Sequence, residues 1–212
     1  MLTCNFVKNF IRMKKIILSI LALSGIFSIY WFQFRDTNTS TAPKQEAIKV
    51  KKHSETFNNR IDSLLQSYFE IKAAFVNADS TKAKLASDSF ITLAGRLNIE
   101  ELKTDSAGIF ESAAAFINEI QSGAKSLSAQ KNITEMRQDF KGISDNIYPL
   151  LKTIHYEGKK LYWQNCPMAF GDNNGADWIS NTEEILNPYL GKNHPEYKSS
   201  MLHCGVIKDT IQ

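Results

Sequence analysis

Among these 212 residues the usual signatures of catalysis are missing. There is no phosphate-binding loop, no His-Glu-x-x-His and no Cys-x-x-Cys, so nothing points to nucleotide hydrolysis, zinc proteolysis or dithiol exchange. Cysteine and histidine are scarce, at three and four residues. Cys166 with His203 or His155 would be a nucleophile and base without an orienting motif, a very weak signal. The chain is expected not to be an enzyme. Acidic residues are absent from positions 1–35, which hold Lys8, Arg12, Lys14, Lys15 and Arg35. Beyond them 20 basic residues face 22 acidic ones, a net of −2. A near-neutral remainder without a basic stripe argues against nucleic-acid binding.

What is there is the composition of a globular protein, 43% apolar and 22% charged, with length for one domain and a targeting segment. Ile16 to Phe32 is an uncharged, mostly apolar run of 17 residues behind Lys14-Lys15. The basic side should stay in the cytoplasm and the rest should cross. The run is just long enough to span, and it ends in Tyr30-Trp31-Phe32, an aromatic cluster suited to a membrane interface. The only fair cleavage site, Ala22-Leu23-Ser24, comes too early in the run. An uncleaved anchor is therefore favoured over a cleaved signal. No cysteine follows the apolar core, which argues against a lipoprotein. Met13 is a more natural start than Met1, which would leave Cys4 unmade. The expected location is periplasmic, anchored in the inner membrane by the N-terminal segment.

Asp36 to Lys52 has no apolar period and reads as a flexible tether. Helical periodicity then begins. Ser54 should cap a first helix running to about Asn77, with Phe57, Ile61, Leu64, Leu65, Tyr68, Ile71 and Phe75 on one face. A second helix is expected over about 80–97 and a third over about 106–124. Asn132 should cap a fourth, with Glu135 three residues on as in a capping box. Its heptad seam runs from Ile133 through Met136 and Phe140 to Ile154, and Pro149 should kink it. Met136 reads as core filling, and His155 as a partner for the helix dipole. Short connections make this a four-helix up-down bundle in an all-α fold.

After Gly158 the periodicity stops. Lys160–Gln164 and Ala176–Ile179 read as short strands, and a helical turn is expected from Ser180 to Ile185 before Asn187-Pro188. The rest of 165–205 is loop, yet it carries Trp163, Phe170, Trp178, Tyr189 and Tyr197, which seek burial. It should fold against the bundle as an irregular segment containing short strands. The expected organisation is 1–35 anchor, 36–53 linker, 54–158 helical bundle and 159–212 Cys/Met-containing segment packed on it.

This segment concentrates sulfur. Cys166 and Met168 flank Pro167, which biases its predecessor toward extended geometry, where alternate residues share a side. Met201 and Cys204 are three apart, neighbours on a helical turn. Soft ligands of this mixture suit Cu(I), with silver by analogy and zinc less well, and His203 would add an imidazole. The rival reading is a disulfide. Exported cysteines tend to pair, and closing the 39-residue loop from Cys166 to Cys204 would stabilise by roughly 4 kcal/mol in the chain-entropy model. Spacing leaves both open; the methionine beside each cysteine favours metal.

In order, Tyr162-Trp163-Gln164-Asn165-Cys166-Pro167-Met168, Gly175-Ala176-Asp177-Trp178-Ile179-Ser180, Asn187-Pro188-Tyr189-Leu190-Gly191 and Met201-Leu202-His203-Cys204-Gly205 resemble the motifs of the domain of unknown function numbered 3347. The resemblance covers about residues 54–207, with its specific motifs at the C-terminal end and only a pattern match in the helices. Members of that family occur alone as exported proteins and fused to periplasmic adaptors of heavy-metal efflux systems. The Cys-Pro-Met element is also similar to the short heavy-metal-binding domain of such adaptors. The resemblance implies copper or silver handling, with the motif falling on Cys166, Met168, Met201 and Cys204. His203 occupies the variable position of Met-Leu-x-Cys-Gly, and Lys192–Ser200 is an insertion before Met201. The expected function is soft-metal binding as chaperone, sequestering protein or efflux accessory, with envelope proteins as partners. The alternative is a structural or partner-binding module with a Cys166–Cys204 disulfide.

Overall fold

The computed structural model describes residues 52–104 and 108–212. The expected anchor, the tether up to Lys51 and Cys4 lie outside the described residues. Among the described residues, four α-helices precede a small sheet: α1 (Glu55–Val76), α2 (Ser80–Gly95), α3 (Ile109–Ala129) and α4 (Ile133–Thr153), then β1 (Leu161–Cys166), β2 (Ala176–Ser180) and β3 (Val206–Ile211). A 3₁₀ turn, Glu100–Thr104, lies between α2 and α3. Among the described residues no helix is long and apolar enough to cross a membrane.

The caps explain the helix bounds. Ser54 accepts the amide of Phe57, and Asn132 that of Glu135, each satisfying a donor the first turn leaves open. At the C-terminus of α1 the amides of Ala78 and Asp79 return to the carbonyls of Phe75 and Ala74 at 3.0 and 2.9 Å. That is a Schellman closure with Ala78 at φ 56, a left-handed position where glycine is usual. Asp79 then caps α2 through Lys82. His155 closes α4 in the same way at φ 50, exposed and two residues past Thr153. The third helix runs five residues beyond its expected end at Ala124, because Leu127 continues the apolar spacing and is fully buried. The fourth runs through Pro149 to Thr153, and Met136 is buried as core.

Tyr68, Phe75 and Phe140 centre the core, with ring centroids 4.9 Å apart for Tyr68–Phe140 and 5.2 Å for Phe75–Phe140. Small residues bring α2 against α3, where Ser87 donates to the carbonyl of Ala124 at 2.9 Å.

The fold is mostly helical, with a three-stranded antiparallel sheet of order β2-β1-β3. This is more order than an irregular segment. β1 is the central strand, pairing Cys166 with Ala176 on one side and Leu161 with Ile211 on the other. The register against β3 slips between Trp163 and Gln164, leaving Lys208 as the extra residue of a bulge. The expected helical turn from Ser180 to Ile185 is instead a series of bends. Its carbonyls at Thr182, Glu183 and Glu184 face the side-chain amide of Gln164 at 3.1 to 3.3 Å, so they do not accept from amides four residues on.

The sheet rests on the helices through specific bonds. Ser144 uses its hydroxyl proton on the carbonyl of Phe140, so Tyr68 donates to Ser144 at 2.7 Å and accepts the amide of Ile179 at 3.1 Å. Lys72, buried in α1, donates to Ser180 at 2.9 Å. Tyr148 stacks on Trp163 at 4.5 Å and donates to Asp209 at 2.6 Å.

Candidate metal centre

The two cysteines of the C-terminal segment meet. Cys166, the last residue of β1, is fully buried. Cys204, 38 positions on, brings its Sγ to 2.7 Å from that of Cys166. Both count as free thiols. Burial, and then the neighbouring Cys166, push the Cys204 thiol up to about 12, so the proton stays on that sulfur until a cation displaces it.

The surrounding motif residues build the turn that delivers Cys204. Asn187 is fully buried. Its Oδ1 accepts the amides of Tyr189 and Leu190 at 2.8 and 3.1 Å, and its Nδ2 donates to the carbonyl of Cys204 at 2.9 Å. Its own amide donates to Leu202 at 2.8 Å. The amide of Cys204 closes onto the carbonyl of Met201 at 3.0 Å. Gly205 follows where a Cβ would meet the carbonyl of Asn165 at 2.8 Å and the Trp178 ring at 3.0 Å. A side chain there would push Cys204 away from β1.

The other candidates sit in the turns beside the two cysteines. Met201 is half-buried against the core one turn before Cys204. Met168 follows the end of β1, where the chain turns, so strand alternation does not carry through Pro167. Its side chain lines a cavity with Phe170 and Tyr189, and none of the lining residues is a cysteine. His203 is exposed, with Nδ1 2.8 Å from the carbonyl of Ile185. That bond puts the proton on Nδ1 and leaves Nε2 as the open lone pair, the usual preparation of a ligating histidine. Among the described residues no group of three or more His, Cys, Asp or Glu gathers.

Two buried polar residues had no role assigned from sequence. Arg137 is buried within α4, its Nη2 donating to the carbonyl of Phe75 at 2.9 Å. Gln164 is buried in β1 with its Oε1 unpartnered among the described residues. Gln164 was visible as a motif residue, whereas Arg137 had no signal beyond being polar beside an apolar seam.

Residues 64–159 match the model of a family described as protein of unknown function, DUF3347. This part of the chain belongs to DUF3347. The match spans all of α2, α3 and α4 and most of α1, and stops before β1. The DUF3347 region is thus the helical scaffold, whereas the motifs that carried the resemblance, Cys166 and Cys204 with them, lie beyond the matched stretch. No curated protein and no solved structure matches the chain.

Proposed function

We propose that the Cys166–Cys204 pair binds a soft monovalent ion, Cu(I) or by analogy Ag(I), and that the protein carries, sequesters or hands on that ion outside the cytoplasm. The observation supporting this reading is the 2.7 Å approach of two thiol sulfurs from distant segments, at a turn held by Asn187. The donor set fits the ion. Zinc sites are almost always four-coordinate, and the described residues offer no group of that size. Two thiolates with a thioether in reserve are the ligands a soft ion selects. With metal–sulfur bonds near ~2.3 Å, two sulfurs on one ion sit about 4 Å or more apart. Cys204 must therefore swing outward by more than ~1 Å, which its half-buried turn allows better than β1 would allow Cys166. Met201, half-buried three residues before Cys204, is a candidate third ligand, with His203 Nε2 and Met168 as alternatives.

The N-terminal charge and apolar pattern support export and anchoring in the inner membrane, and the sulfur motifs support a role beside heavy-metal efflux. Pairings of His53 with Ile154, Tyr68 with Ser144 and Phe75 with Arg137 advance along the α1 segment as they step back along the α4 segment, which supports an up-down order of the helices.

A second reading rests on the same distance. Sulfurs at 2.7 Å are closer than two ligands of one ion, as suits a disulfide that pins the segment for a structural or partner-docking role. Counting thiols on the denatured protein, with and without reductant, separates the two. Counted with Cys4 replaced by Ser, two accessible thiols before reduction favour the metal site; none before and two after favour the disulfide.

A further inference from the structure

At the N-terminal end of α4 lies an open cavity of about 390 Å³, within the size range of small-molecule sites. Its walls include Arg137, Met168, Phe170, Tyr189, His194 and Tyr197. Arg137 is only 5% exposed. Its Nη2 is taken by the carbonyl of Phe75, but its Nε is buried with no hydrogen-bond partner among the described residues. No carboxylate pairs with it there either. A guanidinium does not give up its charge at neutral pH, and burying it without an anion costs several kcal/mol.

The surrounding chain holds that guanidinium in place. Gly191, at φ 63, packs so closely that a Cβ would lie 2.9 Å from Nη2. The Lys192–Ser200 insertion then folds back, with His194 paired to Lys198, and forms one wall. His194 Nδ1 accepts the amides of Glu196 and Tyr197, both at 3.3 Å, so its proton sits on Nε2, a donor. The ring stacks on Tyr197 at 4.9 Å. Ile133 and Thr134, whose amides open α4, line the same cavity. The positive end of the helix dipole therefore adds to the guanidinium.

We propose that this cavity binds a small organic carboxylate with an apolar or aromatic body. The carboxylate sits on Arg137 and the α4 amides, and the body lies against Phe170, Tyr189 and Met168. One cavity-lining guanidinium without a carboxylate partner among the described residues matches a carboxylate. The aromatic and thioether walls match a hydrophobic body. Glu196 on the wall disfavours a dianion such as phosphate. The basicity of His194 is lowered, by burial first and then by the charge of Arg137, in keeping with a wall that stays neutral beside the cation.

The probe is benzoate, titrated into the reduced full-length protein, with benzyl alcohol and inorganic phosphate as controls. The readouts are calorimetry and the Arg137 Nε–H resonance. Saturable benzoate binding is expected, at least tenfold tighter than either control and with movement of that resonance. Arg137→Lys keeps the charge without the fork and should weaken benzoate at least tenfold. Tyr197→Ala, a half-buried wall residue, should weaken it severalfold even if the Arg137 variant fails to fold. The proposal is overturned if phosphate or benzyl alcohol binds as well as benzoate, if no benzoate binds, or if the Arg137 resonance stays still at saturation.

Discussion

Asn187 and Cys204 are joined by a 2.9 Å bond from a buried side-chain amide to a backbone carbonyl. Through it the Asn-Pro-Tyr loop fixes the turn that presents the second sulfur. Replacing Asn187 with Ala removes that bond and orphans the amides of Tyr189 and Leu190. With one to three kcal/mol for each buried group left unpaired, the loss should be about 3 kcal/mol. Urea unfolding of the reduced protein measures it, and soft-metal uptake should weaken in the same variant.

Tyr68 couples helix and sheet. Tyr68→Phe keeps the ring stacked on Phe140 but leaves the Ile179 amide without an acceptor inside the core. A destabilisation of about 2 kcal/mol is expected. In hydrogen exchange, Ile179 should lose protection well before the amides of α2 and α3 do.

Ala78 supplies the reverse case. It holds the left-handed residue of a Schellman closure at φ 56, which costs an L-residue ~1–2 kcal/mol, partly offset by the greater freedom of glycine in the unfolded chain. Ala78→Gly should therefore stabilise by about 0.5–1 kcal/mol, read as a higher urea midpoint at unchanged slope.

The thiol pair makes stability depend on alkaline pH. Burial, with Cys166 beside it, raises Cys204 to about 12 in the folded protein, against about 8.5 in an unfolded chain. Between those values the unfolded state gives up the proton and the folded state keeps it. Stability is therefore undiminished below about pH 8.5 and falls as pH rises toward 12. Lys72, lowered to about 8 by burial, pulls the opposite way in part of that window. The measurement is thus the difference in unfolding free energy between reduced wild type and Cys204→Ser across pH 8 to 11. The difference should shift against the wild type with rising pH, and a flat difference would reject the buried, protonated thiol.

The helices were legible because their apolar residues recur at three and four positions, and α1, α2 and α4 open on Ser54, Asp79 and Asn132, whose side chains do the capping; α3 opens on Gly108 without one. β3 was not. Val206 and Ile207 are 59% and 42% exposed and Lys208-Asp209-Thr210 follow, so the strand has no alternating apolar face. What makes it a strand is pairing with β1, and no local signal carries that. The meeting of Cys166 and Cys204 was common to both sequence readings, metal site and disulfide. The end of the strand at Cys166 was not legible, because extended geometry was carried on through Pro167, where the chain turns. Arg137 was hidden for another reason. A charged residue in an amphipathic helix is ordinarily solvated, and only the close approach of Gly191 and the C-terminal end of α1 turns this one inward.

Cu(I) titration of the reduced protein under anaerobic conditions, in competition with a chelator of known affinity, tests the central claim most directly. Uptake of one ion per chain is predicted, with release of thiol protons so that affinity rises with pH. Cys166→Ser and Cys204→Ser should each abolish tight uptake, and Met201→Ala should weaken it. Uptake unchanged in either cysteine variant, or no tight uptake by the fully reduced protein, would contradict the account.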